Sequence, residues 1–178
     1  MFHQIGKSLK IEVFPIEVFI NIMTNLFDKK IFEINDSGKS IAIFVKQNYL
    51  VVDKKLVRNL KNFTLLRNKC DARICLHRDK GDPLQNMIVL NWKKNCKKIA
   101  HKHLQKDETY HMIAGSMLVN IYSNRKKIKK KIKLLSKNKS ILRVKNNTFH
   151  SIIPITDLVI FHESRKGPFS PKDNIFLK

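Results

Sequence analysis

His101-Lys102-His103-Leu104-Gln105-Lys106-Asp107-Glu108-Thr109-Tyr110-His111-Met112-Ile113-Ala114-Gly115 is the stretch on which the reading of this chain turns. Side chains alternate along a β-strand, so two histidines two residues apart share a face and can grip one metal ion. Glu108 follows after a short loop, from which the chain can return as a neighbouring strand carrying a third ligand. Gly115 then permits a tight turn. His150, further along, is a fourth candidate. Three imidazoles and one carboxylate suit a divalent transition metal (Fe, Mn, Ni, Cu or Zn) better than Ca or Mg. In a chain with seven histidines an HxH pair alone means little. The carboxylate and the glycine at these offsets give it weight.

The spacing HxH-x4-E-x6-G over His101, His103, Glu108 and Gly115 resembles the first cupin motif. Around it stand Arg73-Ile74-Cys75-Leu76-His77, Asp82-Pro83-Leu84-Gln85, Phe161-His162-Glu163 and Gly167-Pro168-Phe169-Ser170-Pro171. In that order they resemble the WbuC family of cupin-fold metalloproteins, over the stretch from Asp53 to Phe176. The resemblance implies a mainly β protein: a cupin-type antiparallel β-barrel, or jelly roll, with a metal near one end. It also implies a connection with cell-surface polysaccharide, because the family is named from bacterial O-antigen (lipopolysaccharide) gene clusters. It brings no assigned reaction.

The chain departs from the cupin pattern in two places. The glycine usual six residues before the HxH is Asn95. In the second motif the histidine is His150, but Lys145 and Asn147 stand where Pro and Gly are usual, and Pro154 replaces the Asn. Asn147 can still adopt the left-handed turn that Gly would provide.

The remaining site candidates follow from alternation and from the matched motifs. With Glu108 facing inward, Tyr110 and Met112 face inward too and His111 outward. Tyr110 is therefore a candidate contact to ligand or substrate, with a core aromatic as the plainer alternative. Arg73 and His77, four residues apart in an expected strand, share a face. The Arg73 guanidinium fork suits a carboxylate or phosphate, unless it forms only a surface ion pair. His162 is a candidate at the rim, and Glu163 is read as the end of a strand. Nothing here selects between an enzyme and a module that binds metal and a small ligand. As an enzyme, the family resemblance implies that it would act on a sugar or sugar nucleotide, and the basic surface suits an anionic small-molecule substrate.

The net charge is +22. Such charge attracts polyanions, with nucleic acid the obvious class. The basic residues crowd Arg125–Lys139 and Lys93–Lys102. The chain is also rich in Ile and Asn and poor in Gly and Ala, as an AT-biased genome would make it. Aromatics are not interleaved with the lysines, so a base-stacking platform is not indicated. A solvated basic surface is the preferred reading and nucleic-acid binding the alternative. No apolar run reaches the roughly 18 residues of a transmembrane helix. Glu12 and Glu17 interrupt the N-terminal apolar stretch, unlike a signal peptide. Cys70, Cys75 and Cys96 form no CxxC and no even framework, so they read as free thiols. A cytoplasmic location is expected. A homodimer through barrel edges is expected by analogy with small cupins.

Along the chain, residues 1–52 read as a small α/β extension and 53–178 as the cupin barrel. Ile16, Phe19, Ile20, Met23 and Phe27 would line one helix face after Pro15. Ile31–Asn35 and Lys39–Val45 flank a hairpin turn at Asp36-Ser37-Gly38. This unit is either an appendage or extra strands on the barrel edge. Asp53 resembles an N-cap for a helix to about Asn62, with Leu56, Val57 and Leu60 inward. Strands are expected at Ala72–Leu76, Gln85–Trp92, Glu108–Ala114, Met117–Tyr122, Ile141–Val144, His150–Ile153 and Leu158–Glu163. The segment from Ile128 fits helix or strand by periodicity, and the resemblance favours strand. If the strand before the HxH is unbroken, Cys96 faces away from the metal.

Overall fold

The structure is a computed structural model that describes residues 30–36, 40–123 and 127–177. Strand β1 (Phe32–Asp36) pairs antiparallel with β2 (Ser40–Val45), and helix α1 (Lys54–Leu66) links β2 to β3 (Asp71–Cys75). β2 and β3 run parallel. Parallel neighbours need a crossover connection, and α1 supplies it. Asp53 caps the helix as expected: its backbone is extended and its Oδ1 accepts from Leu56 N at 2.7 Å. Such a cap contributes about 1 kcal/mol. The helix runs one turn past Asn62 because Phe63 and Thr64 continue its buried face. Thr64 Oγ1 accepts a hydrogen bond from Trp92 Nε1 at 3.2 Å.

The other strands are β4 (Leu84–Trp92), β5 (His101–His103), β6 (Glu108–Ala114), β7 (Ser116–Tyr122), β8 (Ile128–Leu135), β9 (Ile141–Val144), β10 (His150–Pro154), β11 (Leu158–Lys166) and β12 (Asn174–Phe176). They order as β1-β2-β3-β4-β11-β6-β9 in a seven-stranded sheet and β12-β5-β10-β7-β8 in a five-stranded one. Apart from β2 with β3, every described pairing is antiparallel. Two packed, mostly antiparallel sheets, with one α-helix among the described residues, make a mainly β, cupin-type jelly roll, as expected from the sequence.

Alternation gives the large sheet two buried faces. Ala72, Ile74, Ile88, Leu90, Trp92 and Ile160 pack on one side with Leu60 and Phe63 of α1 and with Phe32, Ile41 and Ile43 of the β1–β2 hairpin. Tyr110, Met112, Val144, Val159 and Phe161 point the other way and meet Met117, Val119 and Leu134 of the small sheet. The hairpin thus extends the large sheet beyond β3. Of the two arrangements left open by the sequence, added strands is the one found. The helix expected over Ile16–Phe27 lies outside the described residues, as does the turn from Ser37 to Lys39.

The ambiguous segment from Ile128 is strand. Ile132 and Leu134 sit opposite Val119 and Met117 of β7, while the lysines around them are exposed at the sheet edge. Gly115 is the corner where the chain passes from the large sheet to the small one. Its φ is +77°, and a Cβ there would lie 2.4 Å from the carbonyl oxygen of Leu158. Asn147 takes the left-handed conformation, at φ 56°, as its place in the second motif requires. The strand before the HxH is not continuous. A 3-10 turn (Lys93–Asn95) and a left-handed Lys98 (φ 49°) break it, and the Cys96 thiol points at the Ile152 carbonyl oxygen, 3.6 Å away.

Candidate metal centre

β5 contributes His101 and His103 on one face, with Lys102 on the other, its Nζ 4.9 Å from the centre of the Phe149 ring. β10 lies beside β5 and puts His150 directly opposite His101. These three come from the small sheet. Glu108 comes from β6 of the large sheet, reached through the loop at Leu104–Asp107. Ligand atoms of all four side chains lie within 4.8 Å of one another. His103, Glu108 and His150 are buried and His101 is partly so.

Glu108 is the hub. Its Oε1 lies 2.7 Å from His103 Nε2 and accepts from Arg165 Nη1 at 3.0 Å. Its Oε2 lies 2.9 Å from His150 Nε2 and accepts from the Tyr110 hydroxyl at 2.5 Å. Burial alone would raise the Glu108 carboxyl, but the close contacts with His103 and His150 outweigh it and hold it well below the usual range. Burial, then the neighbouring His150, pushes His101 down to about 4, so this imidazole is neutral at pH 7 and keeps a lone pair to donate. Burial also pushes the Tyr110 hydroxyl well up, and the adjacent Glu108 charge adds to this, so it stays a donor.

The residues present fit a metal. His150 Nδ1 lies 2.9 Å from the Thr148 carbonyl oxygen. That oxygen can only accept, so Nδ1 carries a proton and Nε2 is the nitrogen turned to the cluster, the one a metal would take in place of its contact with Glu108. Among the described residues neither ring nitrogen of His103 has a hydrogen-bond partner, although the side chain is only 3% exposed. The approach of its Nε2 to Glu108 is close but not aligned as a hydrogen bond. An unsatisfied buried nitrogen costs about 1–3 kcal/mol. A metal shared with His101, Glu108 and His150 accounts for Nε2. Three imidazoles and a carboxylate are a transition-metal donor set.

A cavity of about 430 Å³ reaches from this cluster towards the surface. His101, Glu108 and Tyr110 line its floor, and Arg73, His77, Lys80, Glu163, Arg165 and Phe169 are among its walls. Arg73 is in place on β3, with Nη1 donating to Ser40 Oγ at 3.2 Å. His77 also lines the cavity, but from two residues past the end of the strand rather than from within it as expected. β3 ends at Cys75, and His77 Nδ1 sits 2.8 Å from the Asn86 carbonyl oxygen. His162 is not brought to the site: it points to the opposite face of β11, paired with His111.

Glu163 does not end its strand. β11 continues to Lys166, and alternation from Phe161 carries Glu163 and Arg165 to the cavity face. Arg165 Nη1 bridges the two carboxylates, at 3.0 Å from Glu108 and 3.3 Å from Glu163. Burial, reinforced by Glu108, pushes the Glu163 carboxyl up to about 7. Arg165 was not singled out from the sequence. The usable signal was the period-two alternation running on past Glu163.

No helix among the described residues is long and apolar enough to cross a membrane. No family model matches the chain, and no curated protein does. Among solved structures it is similar to the capsular polysaccharide assembling protein CapF of Staphylococcus aureus (TM-score 0.46, 15% identity), covering 55% of this chain and 27% of that one. It is similar to Streptomyces Pac13 with uridine (TM-score 0.44, 12% identity), a nucleoside dehydratase, over 55% of this chain and 71% of that one. A cupin-2 domain protein of Shewanella frigidimarina (TM-score 0.41, 11% identity) aligns over 52% of this chain and 78% of that one. This chain therefore spans about a quarter of the length of the Staphylococcus protein. The strand order and the packed sheets, together with the buried His101, His103, Glu108 and His150 cluster, identify a cupin fold with a site able to hold a metal.

Proposed function

We propose that this chain is a metal-dependent cupin acting on an anionic sugar or sugar nucleotide in cell-surface polysaccharide (O-antigen) synthesis, the role its resemblance to the WbuC family implies. The observation that carries the reading is the position of the His101, His103, Glu108 and His150 cluster at the floor of a small-molecule-sized cavity with cationic side chains on its walls. Arg73 offers a guanidinium fork to a phosphate or carboxylate, and His77 lies near it. Tyr110 fixes Glu108 from below. A bound transition metal would polarise a substrate oxygen or activate a water there. The chain's own residues orient the substrate and keep the carboxylate ionised. His162, on the far face, has no part in this reading.

Pairing into a homodimer belongs to the same proposal. β8, an edge strand, is lined with exposed lysines, which disfavour strand addition. The edge strands β9 and β12 instead expose Ile141 and Phe176.

The test is calorimetric titration of metal-reconstituted protein with a panel of nucleotide sugars and sugar phosphates, alongside Arg73→Ala. Binding by the native chain that Arg73→Ala weakens by an order of magnitude or more supports the reading. Absence of binding across the panel, or binding indifferent to Arg73→Ala, contradicts it. Turnover that Glu108→Gln abolishes while metal remains bound identifies an enzyme; a ligand bound but never transformed identifies a binding module.

A further inference from the structure

Asp173 closes the 3-10 turn at Pro171–Asp173 that leads into β12. β12 pairs with β5, setting Asn174 opposite His103. The Asp173 carboxylate is anchored on one side: Oδ1 accepts from the backbone N–H of Leu104 at 3.1 Å and of Gln105 at 3.0 Å, the two residues after His103. Its other oxygen, Oδ2, has no hydrogen-bond partner among the described residues, though the residue is only 9% exposed. Across from it, 3.6 Å away, is His103 Nδ1, also buried and also without a partner. Two orphaned polar atoms, one able to donate and one able only to accept, thus face each other just beyond hydrogen-bond range. Lys106 Nζ, which donates to the Pro168 carbonyl at 2.5 Å, sits 3.7 Å from the same Oδ2.

A histidine that ligates a metal through Nε2 must carry its proton on Nδ1, and that proton needs an acceptor. At His150 the acceptor is the Thr148 carbonyl. We infer that Asp173 is the positioning residue of His103: its Oδ2 accepts the Nδ1 proton, fixes the tautomer, and so aims the Nε2 lone pair at the metal. Asp173 is not among the residues lining the substrate cavity, so it acts through His103. The inference rests on the metal-site reading above. The pairing of β12 with β5 holds the turn that carries this carboxylate beside His103.

The test is Asp173→Asn. The amide oxygen can keep both backbone hydrogen bonds, while its NH2 group presents a donor to His103 Nδ1. That favours the tautomer with the proton on Nε2, where the metal should be. Two readouts are needed. Because Glu108 Oε1 lies 2.7 Å from Nε2, the tautomer is read with metal in place: long-range 15N–1H spectra of the Zn2+-loaded protein should show His103 protonated on Nδ1 in the native chain and that proton's resonance lost or moved upfield in the variant, with His150 unchanged. Competition for Zn2+ or Co2+ against a chromophoric chelator should show affinity about 10- to 100-fold weaker in the variant. A turn held only for stability would move neither that resonance nor the His103-to-His150 contrast. The inference is overturned if native His103 already carries its proton on Nε2, or if Asp173→Asn binds metal as tightly as the native chain. Should the variant fail to fold, the native spectrum decides alone. A native chain that takes up no metal defeats the site reading and this inference with it. An unaffected variant beside a metal-binding native chain defeats this inference only.

Discussion

Glu163→Gln should change how stability depends on pH, in a direction the structure fixes. Glu163 is buried beside Glu108, and Arg165 Nη1, 3.3 Å away, is the ion-pair partner it has among the described residues. Its carboxyl is raised from an ordinary 4.5 to about 7, burial first and Glu108 second. A carboxyl raised in this way favours the folded state while protonated. Its contribution is intact below about pH 4.5 and is lost as pH rises through about 7. The gap between the two values, at roughly 1.36 kcal/mol per pH unit, amounts to ~3 kcal/mol. For a chain of this size that is a fall in Tm of about 6–12 °C between roughly pH 5 and pH 8. Glutamine cannot ionise, so the variant should lack this part of the slope. The assay is thermal unfolding of chelator-treated protein across that range, native against variant. Histidines titrate in both chains, so the difference between the two curves isolates Glu163. Parallel curves would refute the reasoning and show that Arg165, or water entering the cavity, already neutralises the charge.

Three further outcomes are expected. Tyr110→Phe removes the hydroxyl that donates to Glu108, at little change in shape, and should cost the metal-free protein about 1–3 kcal/mol in urea unfolding while leaving metal uptake intact; no loss would mean the hydroxyl is not holding the carboxylate. Gly115→Ala forces a left-handed alanine whose Cβ meets the Leu158 carbonyl at 2.4 Å, so a loss of at least ~2 kcal/mol should appear in the same measurement. The Cys75 thiol, buried and pushed up to about 11, is thiolate in only about one molecule in a thousand at pH 8. Peptide mass mapping after brief iodoacetamide treatment should find it labelled last, and labelling in step with the half-buried Cys96 would contradict its placement.

The parts of the fold that were legible are those with local causes. β6 runs from Glu108 to Ala114 as expected, because alternation and the Gly115 corner mark both ends. The α1 cap at Asp53 is a side chain bonding its own neighbours. β8 was not decidable from periodicity, since Ile128, Ile132 and Leu135 fit a helix as well as Ile132 and Leu134 fit a strand. Pairing with β7 settles it, and that pairing is a tertiary fact. The four clustered side chains were visible because a two-strand grip leaves a fixed spacing. Arg165 was recoverable from continued alternation along β11. Asp173 was not, because nothing around Pro171 announces that β12 will lie against β5. Its meeting with His103 exists only in the fold.

The central claim is that His101, His103, Glu108 and His150 hold a transition metal. Elemental analysis of untagged protein, beside a His101→Ala/His103→Ala double variant, tests it most directly. The account predicts close to one equivalent of Fe, Mn, Ni, Cu or Zn per native chain, lost in the double variant. Native protein that stays metal-free after reconstitution, or a variant that retains the native metal content, would contradict it.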